Sequence, residues 1–458
     1  MVFSSAIFLW IFLSAVFAGN LLFGKRLSNL FLLTASLFFY AWGEPVLVVL
    51  MIFSIIWNYL MGLMIEAASH KKLLLFIGVA ADLLLLAYYK YAGFLLRSIN
   101  TLCGTAFEVP QIALPIGISF FTFQAISYIA DVYRGKVKAS KDPLPVALYI
   151  SFFPQLIAGP IVQYRDVERQ LRERKLSAEG FAFGFRRFIY GLGKKVLIAN
   201  VLAKCADAVF DHGAAGVGML PAWIGALAYT FQIYYDFSGY SDMALGLGQM
   251  FGFTFSENFN YPYLSKSITE FWRRWHMTLG AWFREYVYIP LGGNRKGKGR
   301  TVANLWIVFF LTGLWHGADL SFILWGLYHG ALSFVERLGL KKLLDKSRVL
   351  SRLLCFIAVC IGWVLFRAEN TAEGLKMIAA MFRPGTGMKL WELGDTKTLV
   401  IAVCAVFGCG IMQALVPSKV KKRYRESVLE ALVCGAVLFF CLAALAGAGY
   451  NPFIYFQF

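Results

Sequence analysis

Long apolar runs, broken by short basic or glycine-rich turns, fill most of this chain. A helix that crosses a bilayer takes about 20 apolar residues. Met1–Phe23, Leu27–Trp42, Val46–Ile65, Leu73–Leu96 and Ile112–Val132 each read as one crossing. The next run, Leu144–Val162, carries Pro145, Pro154 and Pro160, which predicts a broken or re-entrant helix. Phe181–Phe210 is apolar but is crossed by Arg186, Arg187, Lys194 and Lys195. That pattern predicts a partly interfacial helix whose long cationic side chains snorkel to water. Met219–Phe253 follows, interrupted by Asp236, Ser238, Ser241 and Asp242. The least membrane-like stretch is Ser256–Arg300, rich in aromatics, arginine and glycine. Beyond it Leu305–Trp315, Leu320–Val335, Leu353–Phe366, Leu399–Leu415 and Val428–Leu445 resume the apolar pattern.

Basic residues mark alternate turns. Lys25 and Arg26, His70-Lys-Lys72, and Arg134–Lys138 with Lys141 place those turns in the cytoplasm, together with the charged segment Arg165–Lys175. The N-terminus then lies outside, Lys419–Arg425 is an inside loop, and the tail Gly449–Phe458 returns outside. The first run has no basic residues before it and is longer than a secretory signal needs, so it reads as the first span.

Composition fixes the class. The chain is 59% hydrophobic and 17% aromatic over 458 residues, against about 45–50% apolar in soluble domains. We expect an all-α polytopic membrane protein with about eleven crossings plus re-entrant or interfacial pieces, forming a single membrane-embedded domain over residues 1–458. The net charge of +18 sits in turns between apolar runs, which indicates membrane topology rather than nucleic acid as a partner. It also suits anionic lipid or a polyanionic cosubstrate. The eight cysteines show no C-x-x-C or Cys/His metal spacing and read as small buried hydrophobes. Gly193-Lys-Lys lacks the upstream glycine and the Ser/Thr of a Walker motif, and no G-x-S-x-G elbow occurs. The chain is therefore neither an ATPase nor a serine hydrolase of that type.

Among five histidines, two lie in unusual settings. His316 ends an apolar run in Thr312-Gly-Leu-Trp-His316-Gly, and an ionisable residue in such surroundings is a functional candidate. A neutral imidazole there suits a general base, and Gly313 and Gly317 would let a substrate approach the backbone. A purely structural histidine, bonded across helices, is the alternative. His276, in Phe271-Trp-Arg-Arg-Trp-His276, has Arg273, Arg274 and Arg284 nearby, whose charges would keep its ring neutral. If the segment is helical, Trp272 and His276 share a face; an interfacial aromatic and arginine belt is the alternative. Asp236 and Asp242 need cationic partners, and the arginines of Ser267–Arg300 are the candidates. His329 lies in small-xxx-small spacing, which suggests close helix packing beside it. His70 and His212 read as ordinary loop residues. The loop Arg295–Arg300 carries four positive charges among glycines and suits either a solvated turn or docking of nucleotide phosphates.

Taken together, several motifs resemble one family, the membrane-bound O-acyltransferases, and within it the bacterial branch that O-acetylates alginate, peptidoglycan and other envelope polysaccharides. The resemblance rests on Phe39-Tyr-Ala-Trp-Gly-Glu-Pro45, Leu114–Gln124, Phe153–Ile161, Glu257-Asn-Phe-Asn-Tyr-Pro-Tyr263, Phe271–His276, Tyr288–Asn294 and Leu314-Trp-His316-Gly317. It implies a ring of helices around a tunnel, with His316 as the catalytic base and His276 as the second catalytic position. It implies an acyl group, expected to be acetyl, delivered from a cytoplasmic thioester, with acetyl-CoA as cosubstrate and no tightly bound cofactor or metal. His316 would take the proton of an acceptor hydroxyl, while His276 or a nearby arginine binds the developing oxyanion or holds the acceptor. The remaining candidates for contacts to donor or substrate are Asp236, Asn260, Arg273, Arg274, Trp315, Arg295 and Lys296. Acceptors lie outside and coenzyme A inside, so an extracytoplasmic acetyltransferase partner is implied, docking on the C-terminal tail and passing the group to polysaccharide. Such a protein would sit as a multi-pass protein in a bacterial inner membrane, in contact with lipid. Two other readings stand beside this one: D-alanyl transfer from a carrier protein to teichoic acid, and a transporter or channel with intramembrane histidines.

Overall fold

A computed structural model describes residues 1–23, 25–340, 344–385, 387–417, 420 and 427–447. The basic residues of Lys419–Arg425 and the tail Gly449–Phe458 lie outside the described residues, as do the side chains of Lys25 and Arg26. Among the described residues every regular element is helical. Among the described residues five helices are long and apolar enough to cross a membrane: Val48–Ala67, Lys71–Cys103, Arg348–Arg367, Thr396–Leu415 and Val428–Ala446. Ile7–Leu22 and Leu27–Gly43 are shorter apolar helices. The chain forms two compact units, Met1–Phe188 with Ser241–Ser256, and Ile189–Tyr240 with Glu257–Phe458.

The first unit is built on phenylalanine. Phe3, Phe8, Phe12, Phe39 and Phe153 interlock with ring centroids 4.9–5.9 Å apart, edge-to-face and tilted pairings that suit the ring quadrupoles. The proline-rich run breaks as expected, into Pro143–Ser151 and Phe153–Leu156 followed by irregular chain. Irregular backbone in a membrane domain needs partners from protein, and polar side chains supply them. Ser36 Oγ accepts from the Phe153 amide at 3.2 Å, the Tyr149 hydroxyl donates to the Val162 carbonyl at 2.8 Å, and Gln155 donates to the Tyr149 carbonyl at 2.6 Å. The fifth predicted crossing starts later than its apolar run suggests. Gly117 takes a left-handed conformation and the helix covers only Ile118–Tyr133, buried over nearly its whole length. Two cations expected to snorkel are paired instead. In this unit Arg187 holds Asp242 at 2.9 Å.

In the second unit Lys195 is the other. It sits in a π-helical stretch, Lys194–Ala199, between helices Ala178–Gly193 and Asn200–Phe210, and is only 3% exposed. The extra residue of a π turn rotates the side chains that follow. Helices Gly297–His316 and Leu320–Val335 form a tight hairpin, with the Asp319 carboxylate accepting from the Ser321 amide at 2.8 Å to start the second helix. Gly297–Arg300, expected as loop, is the first turn of the hairpin's first helix. Thr396–Val406 and Met412–Leu415 are joined by a π segment with a kink at Gly410, whose φ is +134°.

Candidate active site

His316 is the last residue of its helix, and the chain leaves at Gly317 in an extended conformation. Glycines draw the two arms of the hairpin together. A Cβ on Gly313 would lie 2.4 Å from the Phe322 carbonyl oxygen, and one on Gly326 2.4 Å from that of Phe309. A Cβ on Gly317 would strike the Phe322 ring at 2.1 Å. The space beside both glycines is thus filled by the hairpin's own second arm, so the expectation that they admit a substrate is corrected. The small-residue spacing around His329 does serve close packing. His316 is 4% exposed and ringed by Trp315, Trp325 and Phe366 at 4.8, 5.1 and 5.2 Å between centroids.

His276 comes from a different kind of structure. The helix Ile268–Trp272 stops at Trp272, and a new one begins at Met277, with His276 between them at φ +42°. The helical face shared by Trp272 and His276 does not form. His276 and Tyr261 are the two non-glycine residues with positive φ among those described, and such backbone persists only where its surroundings enforce it. Here the enforcement is visible. The irregular strand before the site lies against this turn, the Asn260 amide donating to the Arg274 carbonyl at 2.9 Å and the Met277 amide to the Asn258 carbonyl at 2.9 Å. The Glu336 carboxylate accepts from the amides of Ile268 and Thr269 and from the Thr269 hydroxyl, fixing the start of Ile268–Trp272.

The imidazole itself is 1% exposed. Its Nδ1 lies 3.0 Å from Asn258 Oδ1, which also accepts from the Thr278 hydroxyl at 2.9 Å and the Thr278 amide at 3.3 Å. Its Nε2 is buried with no hydrogen-bond partner among the described residues. The ring meets Phe237 edge-on at 4.7 Å and Trp315 at 6.0 Å. Burial pushes this imidazole down to about 3; desolvation, and not the arginines invoked from sequence, keeps it neutral. Arg273 is exposed, and Arg274 turns to Glu270 at 2.7 Å and to the Asn260 carbonyl at 3.2 Å.

Trp315 therefore neighbours both histidines, 4.8 Å from the ring of His316 and 6.0 Å from that of His276. A third histidine belongs to the same aromatic wall. His329 is fully buried against Trp272, Trp325 and Tyr328 at 5.2–5.4 Å, and neither ring nitrogen has a hydrogen-bond partner among the described residues. Asp236 is 2% exposed and meets Lys195 Nζ at 2.7 Å. Its partner is this lysine and not an arginine of Ser267–Arg300. Asn260, Arg295 and Lys296 are exposed. Sequence reasoning missed Asn258 and Lys195. Asn258 and Asn260 sit two apart in one motif, and nothing in the sequence pattern separates them, although the fold buries the first and exposes the second. Lys195 looked like one of several snorkelling cations.

A model of the MBOAT, membrane-bound O-acyltransferase family matches residues 118–352, which include both histidines and Trp315. The chain is 41% identical to the probable alginate O-acetylase of Pseudomonas putida, with all of both chains covered. It is 38% identical to the peptidoglycan O-acetyltransferase of Helicobacter pylori over 82% of this chain and 76% of that one. It is 30% identical to the teichoic acid D-alanyltransferase of Bacillus subtilis over 56% of this chain and 69% of that one.

Proposed function

The chain belongs to the membrane-bound O-acyltransferase family, and from that premise we propose that it is a membrane O-acetyltransferase serving a cell-envelope polysaccharide or peptidoglycan. The donor in this reading is acetyl-CoA, offered from the cytoplasm. His316 takes the proton of an acceptor hydroxyl as its oxygen attacks the thioester carbonyl. The new C–O bond forms, the tetrahedral oxyanion collapses, the C–S bond breaks, and the proton held by His316 passes to the departing thiolate. General-base help of this kind is worth about 10²–10⁴-fold, and a site walled by Trp315, Trp325 and Phe366 excludes the water that would waste the thioester. His276 faces the acceptor hydroxyl. The exposure of Arg273 and the Arg274–Glu270 pair argue against either arginine as the oxyanion donor. Lys195–Asp236 acts as a structural anchor for the helix that carries Phe237.

The observation that carries this reading is that two histidines, forty residues apart in sequence, both pack beside a single buried indole. Acetyl is favoured over D-alanyl because the acetylating relatives match more of the chain at higher identity. The wider proposal places the protein in a bacterial inner membrane among lipids, with about eleven crossings and both termini extracytoplasmic. It includes a separate extracytoplasmic acetyltransferase, which supplies the hydroxyl acetylated at this site and then hands the group to the polysaccharide or peptidoglycan, with Arg295 and Lys296 available to coenzyme A phosphates. The test uses purified full-length protein in detergent with radiolabelled acetyl-CoA. Thioester turnover or acetyl transfer in wild type, lost in His316→Ala, is expected. Wild type that leaves acetyl-CoA intact even with an extracytoplasmic partner added would remove acetyl-CoA as donor, and a charged carrier protein would then be tried.

A further inference from the structure

Asn258 was not among the residues singled out by sequence, yet it makes the most specific polar contacts at the site. Its side-chain oxygen receives three approaches, from the Thr278 amide at 3.3 Å, the Thr278 hydroxyl at 2.9 Å and His276 Nδ1 at 3.0 Å. A carboxamide can present either oxygen or nitrogen to its neighbours, and its orientation must be read from them. The Thr278 amide decides it, because a backbone N–H can only donate. The atom facing it must be the oxygen. An amide oxygen can only accept, so the nitrogen of His276 that faces it must carry hydrogen. A neutral imidazole holds one N–H, and with that hydrogen on Nδ1 the other nitrogen, Nε2, is left with a lone pair. Nε2 is the atom that is buried and has no hydrogen-bond partner among the described residues, which is costly unless a ligand supplies the missing donor.

The backbone works to the same end. The left-handed conformation of His276, φ +42° and ψ 54°, lies between the Asn260–Arg274 and Met277–Asn258 hydrogen bonds. The chain at Asn258 is thus fixed to the chain at His276 by main-chain contacts as well as by the side chain.

We propose that Asn258 is the positioning residue for His276: it holds the imidazole proton on Nδ1, so that Nε2 receives a hydrogen bond from a donor on the bound acceptor other than the hydroxyl that reacts, and does not donate one to the oxyanion. This rests on the reading of the site given above and narrows it. His276 holds the acceptor through that donor, the proton of the reacting hydroxyl is left to His316, and the oxyanion is stabilised by some other group.

The test reads the tautomer directly and activity second. Full-length protein labelled with ¹⁵N-histidine in lipid nanodiscs gives nitrogen resonances for five histidines, and His276→Ala identifies those of His276. Wild type is expected to show a protonated Nδ1 and an unprotonated Nε2. Asn258→Asp keeps an acceptor at Nδ1 and is expected to keep that tautomer. Asn258→Leu removes the acceptor, and a proton is expected to appear on Nε2. With acetyl-CoA as the probe, Asn258→Leu is expected to lose about 10²-fold or more in kcat, the scale of a lost acid–base group, with KM little changed and Asn258→Asp restoring most of the rate. A wild-type Nε2–H, or a tautomer unchanged in Asn258→Leu, overturns the proposal. So does equal loss of rate in both variants with the tautomer intact, because Asn258 would then serve packing alone. Full turnover by His276→Ala would instead refute the role given to His276 above, while the tautomer result would still stand on its own.

Discussion

His316 closes a twenty-residue helix packed in a hairpin, whereas His276 lies in a left-handed turn between the short helices Ile268–Trp272 and Met277–Phe283. Trp315 touches both rings, so the site joins two kinds of structure with different physics. In the hairpin the interior backbone groups bond within their own helix, and position is set by steric fit: the glycines let Gly313 and Gly326 sit against opposing main chain. In the irregular stretch backbone groups find partners one by one, from Asn258, Glu336, Asn260 and Arg274. The difference teaches that polar substitutions should injure the His276 side and small steric ones the His316 side.

The largest effect tests whether the two sides contribute equally to chemistry. His316→Ala is expected to lower acetyl transfer by about 10²–10⁴-fold or more while leaving thermal unfolding near wild type, measured with acetyl-CoA in detergent. Substantial turnover in that variant would transfer the base to the irregular side and reverse the comparison.

Next in size is the ion pair behind His276. Lys195→Met leaves the Asp236 carboxylate buried without its lysine, 2.7 Å away in the wild type. Breaking a buried pair costs about 3–5 kcal/mol, whereas replacing both partners by apolar residues is often neutral. The double variant Lys195→Met/Asp236→Leu should therefore unfold at a higher temperature than the single one. Equal unfolding midpoints for wild type and Lys195→Met would mean the pair does not anchor the helix carrying Phe237.

On the other side, Gly313→Ala places a methyl 2.4 Å from the Phe322 carbonyl oxygen. The two arms must separate, at about 1–3 kcal/mol, and His316, three residues on, moves with its helix. We expect a lower unfolding midpoint and reduced transfer together. A variant that keeps both would show that the hairpin is looser than its glycine contacts imply.

The same contrast explains what the sequence made legible. Apolar periodicity marked the helices well: Leu320–Val335 was bounded correctly, and Val428–Leu445 and Leu27–Trp42 fell within two residues of Val428–Ala446 and Lys25–Gly43. Both histidines stand out in the sequence because ionisable groups are conspicuous against hydrocarbon. The polar partners do not. Asp236 points to arginines in the sequence, whereas its partner is a lysine on a π turn, and nothing in the sequence marks Asn258 as the residue beside the His276 ring. Those pairings depend on which loop meets which, a fact carried by tertiary contacts and not by any period in the chain.

The smallest effect concerns where the hairpin begins. The glycines and cations before residue 301 suggested a loop, whereas the helix starts at Gly297. Gly297 has φ +86°, a conformation open to glycine, while Gly299 lies in the first turn with nothing within 4 Å of a Cβ placed on it. Alanine at Gly299 reduces the freedom of the unfolded chain and suits a helix, and should stabilise by at most about 0.5–1 kcal/mol. Alanine at Gly297 must hold a left-handed backbone and should cost about 1–2 kcal/mol. The opposite signs, read from unfolding midpoints of the full-length protein, are those of a helix that starts at Gly297 and holds Gly299 in its first turn. Two null results would return the segment to loop and leave the His316 helix shorter by about a turn, with its basic residues no longer fixed to the helix that carries the base.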